Sequence, residues 1–85
     1  MYSLKFTESA KSDLRRLDPT IRKRILKRLA WLEENVDYMR HQQLSGPLSH
    51  LFKSVIGDHR VLYDLDNSQQ TIWVHVIRRR REIYR

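Results

Sequence analysis

The periodicity of the apolar residues changes about halfway along this chain. In the first half they recur at the spacing of one helix face, at Ile21, Ile25, Leu29, Leu32 and Val36. After Gly46-Pro47, large apolar residues instead alternate with polar ones, which is typical of strands that bury one face. A helical half followed by a run of strands predicts an α+β fold, with the helices covering one face of a sheet.

The Asp18-Pro19 pair divides the helical half into two helices. Proline disfavours helical geometry for the residue before it, so a first helix capped by Thr7 is expected to end near Leu17. Asp18 suits the N-cap of a second helix and Pro19 its first turn, and this helix is predicted to run to about Asn35. So short a connection favours an antiparallel helical hairpin.

Four strands are predicted, at residues 2–6, 51–56, 60–66 and 71–77, with turn residues between the last three. Tight turns imply antiparallel pairing of those three, and the first strand joins them after the helices cross. In the last strand, strict alternation places Ile72, Val74 and Val76 on one face. The predicted order is β-α-α-β-β-β, a small antiparallel-rich sheet with an N-terminal helical hairpin packed on one face.

Length and composition exclude several classes of protein. The 85 residues predict a single domain spanning 1–85, and the absence of cysteine excludes disulfide scaffolds, thiolate metal sites and Cys nucleophiles. No apolar run approaches the ~20 residues of a membrane span, and residues 1–6 lack the apolar segment of a signal peptide, so a cytoplasmic protein is expected. A net charge of +7 favours a polyanionic partner, with nucleic acid first and an acidic protein second.

The positive charge is concentrated in two segments. Residues 78–85 carry five Arg against one Glu, directly after the predicted last strand. A run of like charges is usually a solvated tail. Cations anchored at the end of a strand are instead held in place, and fixed guanidinium groups beside an aromatic ring suit a phosphate with a stacked base. The second segment, residues 22–28, holds five basic residues on the second helix.

Three segments, in this order, resemble motifs of the RelE/ParE toxin superfamily. They are Leu51-Phe52-Lys53, Gly57-Asp58-His59-Arg60-Val61-Leu62-Tyr63 and Arg80-Arg81-Glu82-Ile83-Tyr84. In that family a Leu-aromatic-basic strand leads into Gly-Asp-Tyr-Arg-x-x-Tyr, and a later strand ends in Arg-x-x-x-Tyr. The resemblance covers essentially the whole chain and implies a RelE-like fold with the same order of elements.

The resemblance implies a toxin of a type II toxin–antitoxin pair, whose partner is an acidic antitoxin protein. RelE-like members are metal-independent, ribosome-dependent endoribonucleases that need no cofactor. They cut messenger RNA in the A site, near 16S ribosomal RNA, by attack of the ribose 2′-OH on the adjacent phosphate. ParE-like members inhibit DNA gyrase without cutting RNA. A third reading, a non-catalytic basic module that binds nucleic acid, requires only the charge.

The resemblance also implies roles for individual residues. Lys53 matches the lysine on the base side of the reaction, and Arg60 matches the arginine that clamps the phosphate. Arg78 or Arg80 would act near the leaving group, and Tyr84 would stack on or orient the substrate. The neighbouring arginines, Arg79 and Arg81, would bind RNA.

The chain departs from the family pattern at several of these positions. Leu51 stands where RelE has a second lysine, and Ile83 stands where some relatives carry a catalytic His. His59 replaces the Tyr before the clamping Arg, and it shares the strand parity of Val61, which favours a structural role. None of the four His residues has a partner at metal-ligand spacing, so no metal site is expected.

The basic face of the second helix has two interpretations. Lys23, Arg24, Lys27 and Arg28 point away from its apolar face and would either be solvated or contact ribosomal RNA. Trp31 falls on the same side, where an exposed aromatic residue could instead mark the surface that an antitoxin peptide covers.

Overall fold

The computed structural model describes the chain through residue 83, with side chains through residue 81. The helices are α1 (Glu8–Arg15), α2 (Pro19–Asn35) and α3 (Arg80–Ile83). The strands are β1 (Ser3–Phe6), β2 (Gln42–Gln43), β3 (Phe52–Ile56), β4 (His59–Asp66) and β5 (Thr71–Arg79). Short 3₁₀ turns at Val36–Tyr38 and Gly46–Leu48 lie in the connection between α2 and β3.

The strands form one sheet in the order β1-β5-β4-β3-β2, in which β1 is parallel to β5 and the other pairs are antiparallel. This arrangement confirms the predicted α+β class, the helical hairpin and the return of the first strand to the sheet. β2 and α3 were not predicted, because elements of two and four residues are too short to show a periodicity.

Side-chain caps fix the boundaries of the helical hairpin. Thr7 accepts a hydrogen bond from the Ala10 N–H, and Asp18 accepts one from the Thr20 N–H. α1 ends at Arg15, slightly before the predicted Leu17. The guanidinium of Arg22 stabilises this end, because it donates to the carbonyls of Leu14 (3.1 Å) and Leu17 (2.9 Å) at and just after the last turn of the helix.

The hydrophobic core lies between α2 and one face of the sheet. The predicted apolar stripe of α2 is confirmed: Ile25, Leu29, Leu32 and Val36 are buried, and Ile21 packs against them. From the sheet, the core takes these buried residues: Val61, Tyr63, Ile72, Val74 and Ile77. Both layers therefore bury one face, and the opposite face of the sheet carries no helix of the hairpin.

The predicted faces of β5 are correct only for its first half. Tyr63 pairs with Val74 but Leu62 pairs with Val76, so β5 carries an extra residue, His75, at a bulge. The bulge reverses the alternation beyond it, and Ile77 joins the core in place of the predicted Val76. It also places Arg78 opposite Arg60, on the face of the sheet away from the helices.

Two buried or half-buried carboxylates attach the helices to backbone that the sheet leaves unpaired. Asp13 of α1 accepts the Ile77 N–H at 3.0 Å, and Glu33 of α2 accepts the Leu4 N–H at 2.8 Å. The Asp13 side chain is 3% exposed, and its other oxygen lies 3.5 Å from Nε of Arg78. Each carboxylate satisfies a donor that would otherwise lack a partner at a strand edge.

His41 anchors the connection between α2 and β3 to the core. Its Nε2 lies 2.8 Å from the Val36 carbonyl, which can only accept, so this nitrogen carries the proton. In the neutral imidazole, Nδ1 then accepts from the hydroxyl of Tyr63 at 2.6 Å. The His41 ring also lies against Phe52 and Tyr63, with centroids 5.6 and 5.8 Å away. A polar pair thus closes the apolar layer at this end.

We expect Asp13→Ala to destabilise the fold, because it leaves the Ile77 N–H without an acceptor and frees Arg78. A lost hydrogen bond to a charged group typically costs about 2–3 kcal/mol. Urea unfolding at neutral pH measures the change, with the exposed Glu34→Ala as a control that should shift stability by less than about 0.5 kcal/mol. Equal stability of the two variants would contradict this role for Asp13.

Alkaline pH should unfold the chain through Tyr63. Burial raises the pKa of Tyr63 to about 12, only partly offset by the positive charge of Arg28, whereas the unfolded phenol titrates near 10.0. This stabilisation is complete below pH ~10 and is lost as the pH rises through ~12. Urea denaturation should therefore show that the free energy of unfolding falls less between pH 8 and pH 11 in Tyr63→Phe than in the parent chain. Tyr38→Phe, at a residue 86% exposed, should behave like the parent.

Candidate nucleic-acid interface

The candidate site forms where the β3–β4 turn meets the end of β5. Gly57 in that turn has φ +59°, a backbone conformation that glycine adopts without strain. The N–H of Arg80 donates to the Asp58 carbonyl at 3.0 Å, which joins the start of α3 to the turn. The basic segment that follows β5 is therefore held by a backbone contact at its start, as expected for cations anchored at a strand end.

A cavity of about 1020 Å³, which we name the arginine cavity, opens at this junction. Its lining residues are Val55, Gly57, Asp58, Arg60, Arg79, Arg80 and Arg81. The structure thus brings together four arginines that the sequence assigned to catalysis or RNA binding. Four guanidinium groups against one carboxylate make the cavity attractive to anions, and their planar forks match the geometry of phosphate oxygens.

Arg60 is the most constrained member of the arginine cavity. It is only 9% exposed, and its Nε atom is buried with no hydrogen-bond partner among the side chains described, which run through residue 81. Buried polar atoms are nearly always satisfied, and an unpaired donor of a cation is costly. A negatively charged oxygen entering the cavity would offer Arg60 the acceptor that the described residues do not supply. Its position therefore fits the phosphate clamp implied by the family motif.

Lys53 lies on the same face of the sheet as Arg60 but one row away. In the β3–β4 register, Lys53 pairs with Leu62, and Arg60 pairs with Val55. Residues in such a diagonal relation have Cα atoms about 7–8 Å apart, within reach of a long side chain. Lys53 is half-buried and does not line the arginine cavity itself, so it stands beside the phosphate position and not around it.

Arg78 and Arg80 were the two candidates for the leaving-group side, and the structure separates them. Arg78 faces Arg60 across the β4–β5 pair, but its Nε lies 3.5 Å from Asp13 and it does not line the arginine cavity. Arg80 lines the cavity. Arg80 therefore fits the role better, and the charge of Arg78 is partly taken up by Asp13.

The basic face of α2 lies on the other side of the β3–β4 turn. Most of this face is exposed, including Lys23, Arg24, Lys27 and Trp31. Together with Arg28, the last three line a shallow cavity of about 330 Å³ beside Ile56. The guanidinium carbon of Arg28 lies 4.2 Å from the centroid of the Trp31 ring, a cation–π contact. Arginine stacked on an exposed Trp is a surface suited to bases or to a peptide.

Three expectations from the sequence concern Tyr84, a metal site and a membrane span. Tyr84, predicted to stack on the substrate, lies outside the described residues. Among the residues that the structure describes, no three His, Asp or Glu side chains cluster in a way that could hold a metal ion. No described helix has the length and apolar character needed to cross a membrane.

Sequence reasoning missed Asp13, although a signal was present. Asp13 lies three residues after Ala10 and one before Leu14, within the apolar stripe of α1. A carboxylate at a position that should be buried indicates a partner elsewhere in the fold, because charged groups are rarely buried unpaired. Nothing in the sequence identifies that partner as the end of β5.

This chain matches a protein-family model and a set of solved structures. Residues 4–84 match the family model described as the ParE toxin of the type II toxin–antitoxin system parDE. A search of curated protein sequences found no match.

Solved structures of toxins match the fold along nearly the whole chain. The toxin–antitoxin complex RelBE2 from Mycobacterium tuberculosis contains a chain with TM-score 0.82 and 25% identity, covering 93% of this chain and 98% of that one. The isolated RelE toxin of E. coli gives TM-score 0.79 and 23% identity, covering 99% and 92%. A YoeB/ParE toxin from Agrobacterium tumefaciens gives 0.74 and 20%, covering 93% and 98%.

Replacing Arg60 with Met should stabilise the fold while weakening the binding of anions in the arginine cavity. The substitution removes a buried, unsatisfied donor and a cation repelled by its arginine neighbours, and it keeps most of the apolar stem. We expect unfolding by urea to show a stability that is unchanged or raised by about 1 kcal/mol. Inorganic phosphate or sulfate should protect the parent chain from unfolding more than the variant. A destabilised variant that keeps full protection by phosphate would contradict this account of Arg60.

Proposed function

This chain belongs to the ParE toxin family of type II toxin–antitoxin systems, within the RelE/ParE superfamily, and we propose from this premise that it is an endoribonuclease. Its substrate is messenger RNA on the ribosome, and the reaction needs no metal ion. The observation that carries the proposal is the buried Nε of Arg60, which no described group accepts from, in a cavity with three more arginines. A buried guanidinium is stabilised when a negatively charged oxygen pairs with it, and the phosphate of an RNA strand supplies such an oxygen.

The proposed reaction is an internal transfer of the phosphate. The 2′-oxygen of the ribose attacks the adjacent phosphorus, the bond to the 5′-oxygen breaks, and a 2′,3′-cyclic phosphate remains on the upstream product. Lys53, one row from Arg60, takes the proton of the 2′-hydroxyl. Arg60 binds the phosphate oxygens, on which negative charge accumulates in the transition state. Arg80, which lines the same cavity, stabilises the negative charge on the departing 5′-oxygen, and this oxygen takes a proton from solvent water to become the 5′-hydroxyl of the downstream product.

We assign the other cations to RNA binding. Arg79 and Arg81 line the arginine cavity, and Lys23, Arg24, Lys27 and Arg28 form a second basic surface on α2. Two basic surfaces on one small domain could engage messenger RNA and the 16S ribosomal RNA around the A site together. Binding that neutralises several phosphates falls steeply with salt concentration.

The natural partner in this proposal is an acidic antitoxin, encoded beside the toxin and acting in the cytoplasm. The similar structures include toxin–antitoxin complexes from M. tuberculosis, E. coli and Pyrococcus horikoshii. The net charge of +7 is complementary to an acidic chain. The exposed Trp31, flanked by Lys27 and Arg28, supplies an aromatic surface of the kind that peptides cover.

A second candidate function, inhibition of DNA gyrase without RNA cleavage, is favoured by two observations. The matching family model is named for ParE, and Leu51 stands where RelE has a second lysine. Leu51 is 4% exposed, so this position contributes packing and no charge. A nuclease of this chain would therefore depend on Lys53 as its only lysine on β3.

Brief induced expression in bacteria, followed by mapping of transcript 5′ ends, separates these functions. We expect cuts within translated reading frames that disappear when translation initiation is blocked. Intact transcripts together with DNA breaks and a supercoiling defect would instead establish the gyrase function. Intact transcripts with normal supercoiling would contradict both functions and favour a non-catalytic basic module that binds nucleic acid.

Arg60→Ala should remove most of this cleavage while the chain still folds, since it deletes the phosphate clamp. A loss of about 100-fold or more is expected for a group that stabilises the transition state electrostatically. Arg40→Ala, which removes the same charge from an exposed residue of the connection, is the matched control. The resemblance predicts that Tyr84→Ala also folds and loses most cleavage. Full activity in Arg60→Ala would refute the site.

A further inference from the structure

A second polar cavity lies against the arginine cavity, on the side of the sheet that faces the helices. It has a volume of about 240 Å³, and we name it the His59 cavity. Its polar lining comes from Arg24 of α2, Asp58 of the turn, and His59 and Arg79, which pair across β4 and β5. One water occupies about 30 Å³ in the liquid, so the space accommodates a phosphate group with part of its hydration shell.

The guanidinium of Arg24 lies beside the β3–β4 turn. Its Nη2 is 3.5 Å from where a Cβ on residue 57 would be, so the group occupies the space next to Gly57 that a side chain there would contact. Arg24 is an exposed residue of α2 that also lines the His59 cavity, so its cation is available to an anion that enters there.

The balance of charge in the His59 cavity favours an anion. Among its described lining residues, Arg24 and Arg79 stand against one carboxylate, that of Asp58, and His59, 9% exposed, adds an imidazole. Among the side chains that the structure describes, no carboxylate oxygen lies within 4.0 Å of either arginine, whereas Arg78 and Lys11 do have such partners. Both arginines keep their donors available, and none of the described hydrogen bonds uses a ring nitrogen of His59.

The His59 cavity and the arginine cavity share Gly57, Asp58 and Arg79 as a common wall. We propose that the His59 cavity is a second phosphate subsite, which holds the phosphodiester next to the one bound by Arg60. This inference rests on the proposed binding of a polynucleotide at Arg60, and it adds a residue-level path for the strand. The strand would pass over the turn, with Arg79 reaching phosphates on both sides.

A polynucleotide is a better occupant than an acidic peptide because its charges recur at every nucleotide along a continuous backbone. Two adjacent basic cavities with one shared arginine match that repetition, and a basic groove that follows the backbone is typical of proteins that bind single strands. His59 contributes from the side opposite to Arg60, so it is a binding group here and takes no part in the proposed reaction at Arg60.

The test compares two ligands that differ by one phosphodiester. Thymidine di- and trinucleotides without terminal phosphates, TpT and TpTpT, carry one and two, and neither can be cleaved because each lacks the 2′-hydroxyl. Affinities come from NMR titration of the full chain at low salt, with the ring protons of His59 as a local reporter. We expect TpTpT to bind at least about tenfold more tightly than TpT, as two sets of charge-assisted contacts predict. The His59 signals should move with TpTpT much more than with TpT.

Arg24→Ala should remove that advantage, because it weakens the binding of TpTpT far more than the binding of TpT. The ratio of the two affinities should then fall to the statistical factor for two phosphates competing for one site. Arg40→Ala is again the matched control, since it lowers the total charge equally but Arg40 lines neither of the two cavities. It should preserve the ratio.

Each other outcome decides the question. A ratio that survives in Arg24→Ala refutes the second subsite while leaving the Arg60 site intact. Absence of TpT and TpTpT binding to the parent chain defeats both proposals together. A response of His59 to tetraglutamate but not to TpTpT would assign the cavity to an acidic protein and overturn the inference. If the parent chain binds TpTpT more tightly than TpT, Arg24→Ala removes this difference, and the parent chain cuts no transcript in cells, the second subsite is supported and only the nuclease activity is rejected.

Discussion

The carboxylate of Asp13 occupies the edge of β5 that β1 leaves unpaired, and the geometry of the basic end depends on it. β1 pairs with β5 only from Thr71 to Val74, so the strand beyond that point has no neighbour on this side. Asp13 supplies the missing acceptor to Ile77 and a counter-charge to Arg78. α1 is thereby fixed against the strand that ends in the arginines. Without this contact, an exposed edge and a cluster of cations would meet at the same place.

The arginines after Ile77 are consequently separated by the fold and do not act as one charged tail. Arg78 is held toward Asp13, Arg79 stands between two cavities, and Arg80 and Arg81 line one of them. The backbone bond from Arg80 to Asp58 keeps this group beside the β3–β4 turn. Repulsion among these cations disfavours the folded state, and an anionic ligand relieves it. Stability and ligand binding are therefore opposed at Arg60, as is common at functional sites.

Much of the fold could be predicted because local signals were strong. Asp18-Pro19 marked the break between helices, and the apolar spacing of α2 identified the face that enters the core. The bulge at His75 could not be read from the alternation of β5, because it arises from pairing with β4 and reverses the faces beyond it. The partners of Asp13, Glu33 and His41 were also out of reach, since each lies in a different element of the fold.

The sequence by itself determined the α+β class, the order of the main elements and the family, because periodicity and ordered motifs are local properties of the chain. It also identified the cations that gather at the site. The tertiary structure alone decided which of them share a cavity: Arg60 meets Arg79, Arg80 and Arg81, while Arg78 meets Asp13. The strand register and the packing of α1 against β5 determine which of these side chains come together. Both depend on contacts between residues far apart in sequence, and spacing along the chain carries no record of them.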